Sequence, residues 1–427
     1  MEAVDTVKQT ASPKRPNPWR SLLLFFSIVG PGFITGNLDN DAAGIGTYSQ
    51  AGAQFGYGLL WTLIPITIGL IVVQEICVRM GIVTGKGLAD LIRERFGVRI
   101  TLLVLALLLM TNLLTTMAEF AGVAASADLF HPFLRYAAVP AAALFVAVLA
   151  LRADYKTVEK IFLAACLVYF TYIISGFLAK PDWHEVLLAT VVPHFTPSAA
   201  YWLSLLAVIG TTITPWMQFY IQSSVVEKGV KPKDLRYSQI DVITGCFVTD
   251  IVSFFIIVAC GATLYVHGQT NITQATQAAQ ALAPLAGRFA EILFAIGLLN
   301  ASLFAASVLP LSTAYTVCEA LGFEAGVTKS FREAPAFYTL YVAIVALGAV
   351  SVLVLQVPLF TIIEYSQAIA GMLLPFIVIA MLVLVNDKQL MGKYANGPLA
   401  NIIAWATAGV TIVATVVVLA APLFHWS

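Results

Sequence analysis

Long apolar segments recur from one end of this chain to the other, and they constrain its fold more than any other feature. About eleven of them reach the roughly 20 residues that an α-helix needs to cross a bilayer core. Because a bilayer core offers no water to unpaired backbone groups, only helices can satisfy those groups inside such segments. The sequence therefore predicts an all-α polytopic membrane protein, with one transmembrane domain at residues 21–427 behind a polar tail at residues 1–20.

The charge content agrees with this fold class, since only 11% of the residues are charged, compared with about 25% in soluble domains. The eighth predicted span is long enough to extend beyond the membrane. The predicted spans lie at residues 21–51, 56–80, 100–128, 134–151, 157–178, 200–226, 238–267, 286–323, 334–355, 358–385 and 399–423.

The basic residues predict an orientation, because Lys and Arg concentrate in the cytoplasmic loops of membrane proteins. With the N-terminus inside, only three of the 23 Lys and Arg residues fall outside. We therefore expect a multi-pass protein of the cell's inner (plasma) membrane with a cytoplasmic N-terminal tail. One missed span would reverse the side of every later loop, so the asymmetry also supports the number of spans.

The first and sixth predicted spans contain features that interrupt a helix. In the first, the polar run Asp39–Asp41 lies near mid-membrane between glycine-rich flanks. A carboxylate at that depth is costly unless it faces water, a partner or a cation. In the sixth, Pro215 removes a backbone donor directly after a threonine-rich stretch at residues 210–214.

These two interruptions fall at corresponding places in two five-helix halves. We place repeat one at about 21–178, repeat two at about 200–385 and an extra helix at about 399–423. Discontinuous helices at matching positions are typical of inverted-repeat transporters, which bind substrate at the breaks. A kink that serves only helix packing would explain either interruption alone. It is a weaker explanation for two interruptions at matching positions, one of which carries a carboxylate.

At these residues the sequence resembles the NRAMP family of divalent transition-metal transporters, and the likeness covers nearly the whole chain. The resemblance implies a LeuT-like fold with eleven or twelve helices. The segments that carry it are Gly30-Pro31-Gly32-Phe33, residues 50–57, Gly297-Leu298-Leu299, residues 319–323, Ser366-Gln367 with Pro375-Phe376, and residues 386–392.

The chain departs from the family pattern at the metal site. The family's first-helix Asp is kept as Asp41, but its metal-binding Asn corresponds to Gly44. In the sixth helix Thr214 replaces the metal-binding Met, and Trp216 replaces a His. Loss of a soft thioether removes a preference for transition metals, and Gly44 is expected to leave more room. One carboxylate with hydroxyls, carbonyls and space suits Mg²⁺, which keeps several waters.

The resemblance also implies a set of candidate metal ligands. Asp41 is the expected main ligand, and Leu38 corresponds to a family position that supplies a backbone carbonyl. For the remaining side chains we keep a structural alternative: helix capping, back-bonding to the helix or an interhelical hydrogen bond. The predicted metal residues are Asp41, Gly44, Thr211, Thr214, Gln367, Leu38, Asp39 and Asn40.

Proton coupling is not expected, because the residues associated with it are largely missing. Histidine is the side chain suited to proton transfer near neutrality, and the second sixth-helix His of the family corresponds to Ile221. In the third helix Thr116 replaces the family's Asp, while Glu119 is kept and is expected to be a neutral hydrogen-bonding group. We therefore predict import of Mg²⁺, and of Mn²⁺, by alternating access without protons. The first alternative is an ordinary proton-coupled Mn²⁺/Fe²⁺ transporter.

A second alternative of another class is a symporter of amino acids or other organic solutes, although Asp41 would oppose a substrate carboxylate at the break. A metal sensor would need no paired breaks. The sequence contains no HExxH, G-x-S-x-G or Walker motif, so we expect neither an enzyme nor a cofactor. The expected partners are divalent metal ions and the lipid bilayer, with no nucleic acid, and the protein is expected to be monomeric.

Overall fold

The computed structural model describes residues 39–152, 169–196, 198–355 and 358–421. The regular elements in these ranges are helices. Those of nine or more residues are α1 (Ala42–Phe55), α2 (Leu60–Thr84), α3 (Leu88–Asp128), α4 (Arg135–Arg152), α5 (Phe170–Leu178), α6 (Trp183–Val191), α7 (Ala199–Thr212), α8 (Pro215–Glu227), α9 (Leu235–Cys260), α10 (Ala290–Leu321), α11 (Pro335–Leu355), α12 (Leu359–Val385) and α13 (Pro398–Ala420).

The predicted spans correspond closely to these helices. Within the described ranges, nine helical segments are long and apolar enough to cross a membrane. The first and fifth predicted spans are described only in part, at α1 and α5, and the tail at residues 1–20 lies outside the described residues. The prediction of an all-α, polytopic fold is confirmed.

Some boundaries differ from the prediction for local reasons. Helix α3 begins at Leu88, whereas the predicted span begins only at residue 100. The additional residues form a helical segment that precedes the span. Gly97 (φ 78°, ψ 172°) separates that segment from the span, in a backbone conformation that favours glycine. The sequence analysis also missed α6, which lies in a predicted outer loop and begins with the N-cap Asp182.

The centre of the bundle is formed by the helices next to the predicted breaks. In the most apolar stretch of the α7–α8 segment, 83% of the residues are buried. The corresponding share is 17% for α4 and 22% for α13. Helices α4 and α13 therefore form part of the lipid-facing surface. Polar side chains on α1, α7 and α8 are enclosed by protein, where they can serve a binding site.

A buried cluster joins three elements at the predicted inner side. Arg79 on α2 pairs with Glu75 on the same helix at 2.9 Å. Its guanidinium also donates to the carbonyl of Tyr394 and to Oδ1 of Asn396, each at 2.6 Å. Gln239 on α9 donates to Glu75 at 2.8 Å. The cluster fixes α2 to α9 and to the connection between α12 and α13.

Candidate metal site

Carboxylates cap the described half of the first interrupted span. Asp41 is the N-cap of α1, and its Oδ1 accepts from the amide of Gly44 at 2.7 Å. Glu119 on α3 accepts from the amides of Ala42 at 3.2 Å and Ala43 at 3.4 Å. The first three amides of α1, which have no partner inside the helix, are thus satisfied. Asp41 is 5% exposed, and its side chain also hydrogen-bonds to that of Glu119.

Gly44 has a different role from the one expected. A Cβ at this position would lie 1.9 Å from the carbonyl oxygen of Asp39. The expectation that Gly44 leaves more room for an ion is therefore wrong, because backbone fills that space. The missing side chain instead lets the turn before α1 fold back against the helix.

The two polar residues before Asp41 have opposite surroundings. Asn40 donates to Thr249 Oγ1 on α9 at 2.7 Å and accepts from Ser253 at 3.2 Å. Both ends of its amide are thus occupied by α9. Asp39 is 1% exposed, and neither carboxylate oxygen has a hydrogen-bond partner in the described chain. The predicted ligand Leu38 lies outside the described residues.

The second interruption separates α7 from α8. Ile213 leaves the helical conformation (φ −109°, ψ 62°), and Thr214 is extended (φ −69°, ψ 133°) before Pro215 opens α8. The Thr214 hydroxyl donates to the carbonyl of Thr211 at 2.8 Å. Back-bonding was the structural alternative for this hydroxyl, and it leaves the lone pairs of Thr214 Oγ1 available as acceptors. The prediction of a broken sixth helix is confirmed.

Two further residues complete the surroundings of this break. Trp216 is 1% exposed, so its indole fills core volume where the family has an imidazole. Ser312 on α10 donates to the carbonyl of Trp216 at 2.8 Å. On α12, the amide of Gln367 donates to Ser366 at 3.2 Å. A Cβ on Gly210 of α7 would lie only 2.0 Å from the backbone carbonyl oxygen of Gln367. Helices α7 and α12 are therefore in close contact at this glycine.

The two breaks belong to one packed centre. Tyr48 on α1 shares a hydrogen bond of 2.7 Å with Thr212 on α7. A Cβ on Gly122 of α3 would lie 2.7 Å from Ala42 Cβ and 2.3 Å from Ser302 Oγ on α10. The start of α1 is therefore enclosed by α3 and α10. No group of three or more His, Cys, Asp or Glu side chains suited to a metal occurs in the described ranges, so carbonyls, hydroxyls and water would complete the coordination of an ion at Asp41.

The comparison with known families decides the relationship of the chain. The family model described as "Natural resistance-associated macrophage protein-like" (Nramp) matches residues 32–421. This chain belongs to the Nramp family. The resemblance inferred from the motifs is thereby confirmed.

Two Nramp relatives illustrate the distance. The divalent metal cation transporter MntH of Verminephrobacter eiseniae is 27% identical over 400 residues, which cover 90% of this chain and 86% of that protein. The protein of the same name from Ralstonia nicotianae is 28% identical over 418 residues, covering 93% and 90%. Both relatives are named as transporters rather than as enzymes.

Solved structures confirm the LeuT-like fold. A crystal structure of the Eremococcus coleocola manganese transporter has a TM-score of 0.73 at 18% identity, covering 96% of this chain and 88% of that one. MhsT in complex with L-phenylalanine has a TM-score of 0.60 at 12% identity, with 91% and 97% covered. Mhp1 with bromovinylhydantoin bound has a TM-score of 0.57 at 14% identity, with 93% and 91% covered.

Sequence reasoning missed how the first break is held in place. Glu119 was expected to be a hydrogen-bonding group, but its partners at the start of α1, 77 residues away, were not identified. Thr249 and Ser253 were not singled out, although both bind Asn40. Their spacing of four residues on one face of α9 was a signal available in the sequence, but nothing in it identified the partner.

Proposed function

We propose that this chain imports Mg²⁺, with Mn²⁺ as a second substrate, by alternating access without proton coupling. The observation that carries the proposal is the second break, where a threonine hydroxyl and backbone carbonyls stand in place of the family's thioether. Hard oxygen ligands suit Mg²⁺ and Mn²⁺, whereas a thioether favours softer metals. The names of the relatives, which are divalent metal cation and manganese transporters, support a divalent cation as substrate.

A partly hydrated ion fits the donors that the two breaks present. Asp41 has one carboxylate oxygen committed to the helix cap and hydrogen-bonds to the side chain of Glu119, so an ion or its water bound at Asp41 would also face Glu119. Thr214 Oγ1 can accept, because its proton already goes to Thr211. Since Mg²⁺ gives up its waters reluctantly and is often held by one or two carboxylates, so small a donor set is adequate. Room for the hydration shell would come from replacing methionine with Thr214, not from Gly44.

The membrane potential supplies a sufficient driving force. Moving two charges across 100 mV releases about 4.6 kcal/mol, from about 2.3 kcal/mol per charge. Neither sixth-helix histidine of the family is present, since Trp216 and Ile221 occupy those positions. Glu119, the remaining acid of the third helix, is engaged with two backbone amides at the start of α1.

We also propose the arrangement in the membrane that the sequence predicts. The chain would lie in the plasma membrane with its N-terminus in the cytoplasm and would act as a monomer. The repeats at about 21–178 and 200–385 would surround the breaks, and helices from both repeats would move relative to one another during alternating access. The multi-pass character itself agrees with the nine apolar segments of the described chain.

The test is uptake into proteoliposomes that contain a Mg²⁺-sensitive dye or a pH-sensitive dye. Saturable Mg²⁺ uptake that is lost in Asp41→Ala is expected, with no internal acidification. The matched control is Asp182→Ala, which removes a carboxylate N-cap from α6, outside the bundle centre, where Asp182 accepts from the amide of His184 at 2.9 Å. Uptake should survive in the control.

Other outcomes identify the alternatives. Uptake of Mn²⁺ but not Mg²⁺, with acidification that follows metal entry, would make the chain an ordinary proton-coupled member of its family. Absence of uptake of either ion, in liposomes where the control variant is equally well folded, would leave an organic-solute symporter as the better reading. Loss of Mg²⁺ uptake in Asp182→Ala as well would remove the assignment of Asp41.

A further inference from the structure

Two buried carboxylates outside the Asp41 cap have no hydrogen-bond partner in the described chain. Asp39 is 1% exposed and Asp250 on α9 is 7% exposed, and all four of their oxygens are unpaired. Neither takes part in an ion pair of the described residues. A buried carboxylate without a partner is strongly unfavourable, and buried charges in proteins are normally paired or bound to metal. Each of these two groups must therefore be neutralised, either by a proton or by a bound cation.

Hydrogen bonds through the neighbouring residues hold the two carboxylates in the same place. Asn40, directly after Asp39, donates to Thr249, directly before Asp250, at 2.7 Å to Oγ1 and 3.3 Å to the carbonyl. Ser253, one turn further along α9, donates to Asn40 at 3.2 Å. The Asp39 carboxyl lies close enough to the carboxyls of both Asp250 and Asp41 to interact with them electrostatically. These hydrogen bonds of Asn40 therefore hold the neighbouring Asp39 beside α9.

Oxygen-bearing side chains from α1 and α2 surround this pair. Tyr48 on α1 interacts electrostatically with both carboxylates. Thr67 on α2 lies near Asp250 and donates its proton to the carbonyl of Leu63 at 2.7 Å, which leaves its oxygen free to accept. The donors available are therefore carboxylate, phenol and hydroxyl oxygens.

Gln74 on α2 adds an independent sign that the cluster lacks a ligand. This side chain is fully buried, and its Nε2 has no partner in the described chain. Its Oε1 receives only a weak contact from the thiol of Cys246 at 3.8 Å, and Cys246 lies one turn before Asp250 on α9. Because the two ends of an amide exchange by rotation, Gln74 can turn its oxygen toward the cluster when a cation is present.

We propose that Asp39 and Asp250 form a second divalent-cation site between α1, α2 and α9, next to the site at Asp41. Two carboxylates balance the charge of one divalent ion, and the neutral oxygens of Tyr48 and Thr67 with water complete a hard donor set. Mg²⁺ and Mn²⁺ are the ions that such a set takes. The proposal moves Asp39 from the predicted set around Asp41 to this site, and it concerns binding, whatever the chain transports.

The experiment counts bound Mn²⁺ by electron paramagnetic resonance titration of the purified full chain in detergent. The parent is expected to bind two ions per chain. Asp250→Asn and Asp39→Asn should each bind one, and so should Asp41→Ala. The matched control is Asp241→Asn, the same change at another buried carboxylate on α9, which should still bind two.

The result separates this proposal from the proposed function. One ion per parent chain, lost in Asp41→Ala, would overturn the second site and leave the function intact; a proton shared between Asp39 and Asp250 would give this count. Loss of one ion in Asp250→Asn but none in Asp41→Ala would support the second site while removing the role of Asp41. If Asp250→Asn does not fold, Asp39→Asn tests the same site by removing its other carboxylate. In either case, the number of Mn²⁺ ions bound by the parent chain decides whether the second site exists.

Discussion

The two helix interruptions satisfy their backbone by different means. At the first, the carboxylates of Asp41 and Glu119 accept from three successive amides of α1. At the second, the contacts are neutral: the Thr214 hydroxyl donates to one carbonyl and Ser312 donates to another. The first break therefore concentrates carboxyl groups, while the second offers dipoles. In the function proposed above, affinity for a cation would come from the first break and the choice among cations from the second.

The largest expected effect tests how tightly the first break is built. Gly44→Ala would place a Cβ 1.9 Å from the carbonyl oxygen of Asp39, and this overlap cannot be relieved by rotating a side chain. We expect a loss of about 3 kcal/mol in stability, the upper end for overpacking, and loss of uptake. Thermal unfolding in detergent and liposome uptake measure both.

The control for that change lies on the same helix. A Cβ on Gly46 would approach Ile363 Cδ1 at 2.6 Å, which is the flexible end of a side chain. Gly46→Ala should therefore be tolerated much better than Gly44→Ala. Equal effects of the two changes would show that the turn at Asp39 is not the constraint at this break.

An intermediate effect is expected from exchanging the donor at the second break. Thr214→Met adds a soft thioether and should raise uptake of Cd²⁺ or Mn²⁺ relative to Mg²⁺ by about tenfold, equivalent to about 1.4 kcal/mol. Competition uptake in liposomes measures the ratio. Thr214→Leu, of similar size but without sulfur, should lower Mg²⁺ uptake without that gain. If the two variants show the same ratio, the second break does not select the metal.

The smallest effect is expected at Glu119. Glu119→Gln keeps one acceptor for the amides of Ala42 and Ala43 and turns the other into a donor, at a cost of about 1 kcal/mol. Mg²⁺ uptake by the variant should be only a few-fold lower than uptake by the parent. The ratio of the two uptake rates should be the same at pH 6 and at pH 7.5, as expected for an acid that caps a helix. Glu291→Gln, on the exposed first turn of α10, is the control. A pH dependence that disappears only in Glu119→Gln would identify this acid as a proton carrier.

Much of the fold could be predicted because its signals are local. Apolar length places the spans, and Gly, Pro and Asp inside an apolar run mark the breaks at Asp41 and Pro215. The boundary at Leu88 was missed because Gly97 separates two helical segments that differ in polarity. α6 was missed because nine residues in a loop give too short a pattern.

The site was predicted less completely because its contacts are distant in sequence. Asn40 binds Thr249 across 209 residues, and no local pattern predicts that pairing. The same limit applies to Gly44, whose importance depends on where the Asp39 carbonyl lies in space. The roles of Thr211, Gln367 and the other predicted ligands in binding an ion stay predictions.

The Arg79 cluster at the inner side has a consequence for the route by which an ion would leave. Separating α2 from the connection after α12 would deprive the Arg79 guanidinium of two acceptors, which is costly, and separating α2 from α9 would remove the Gln239 donor from Glu75. These elements are therefore expected to travel as one body when the protein changes conformation. A cytoplasmic exit would then have to open between this body and the rest of the bundle, not within the body itself.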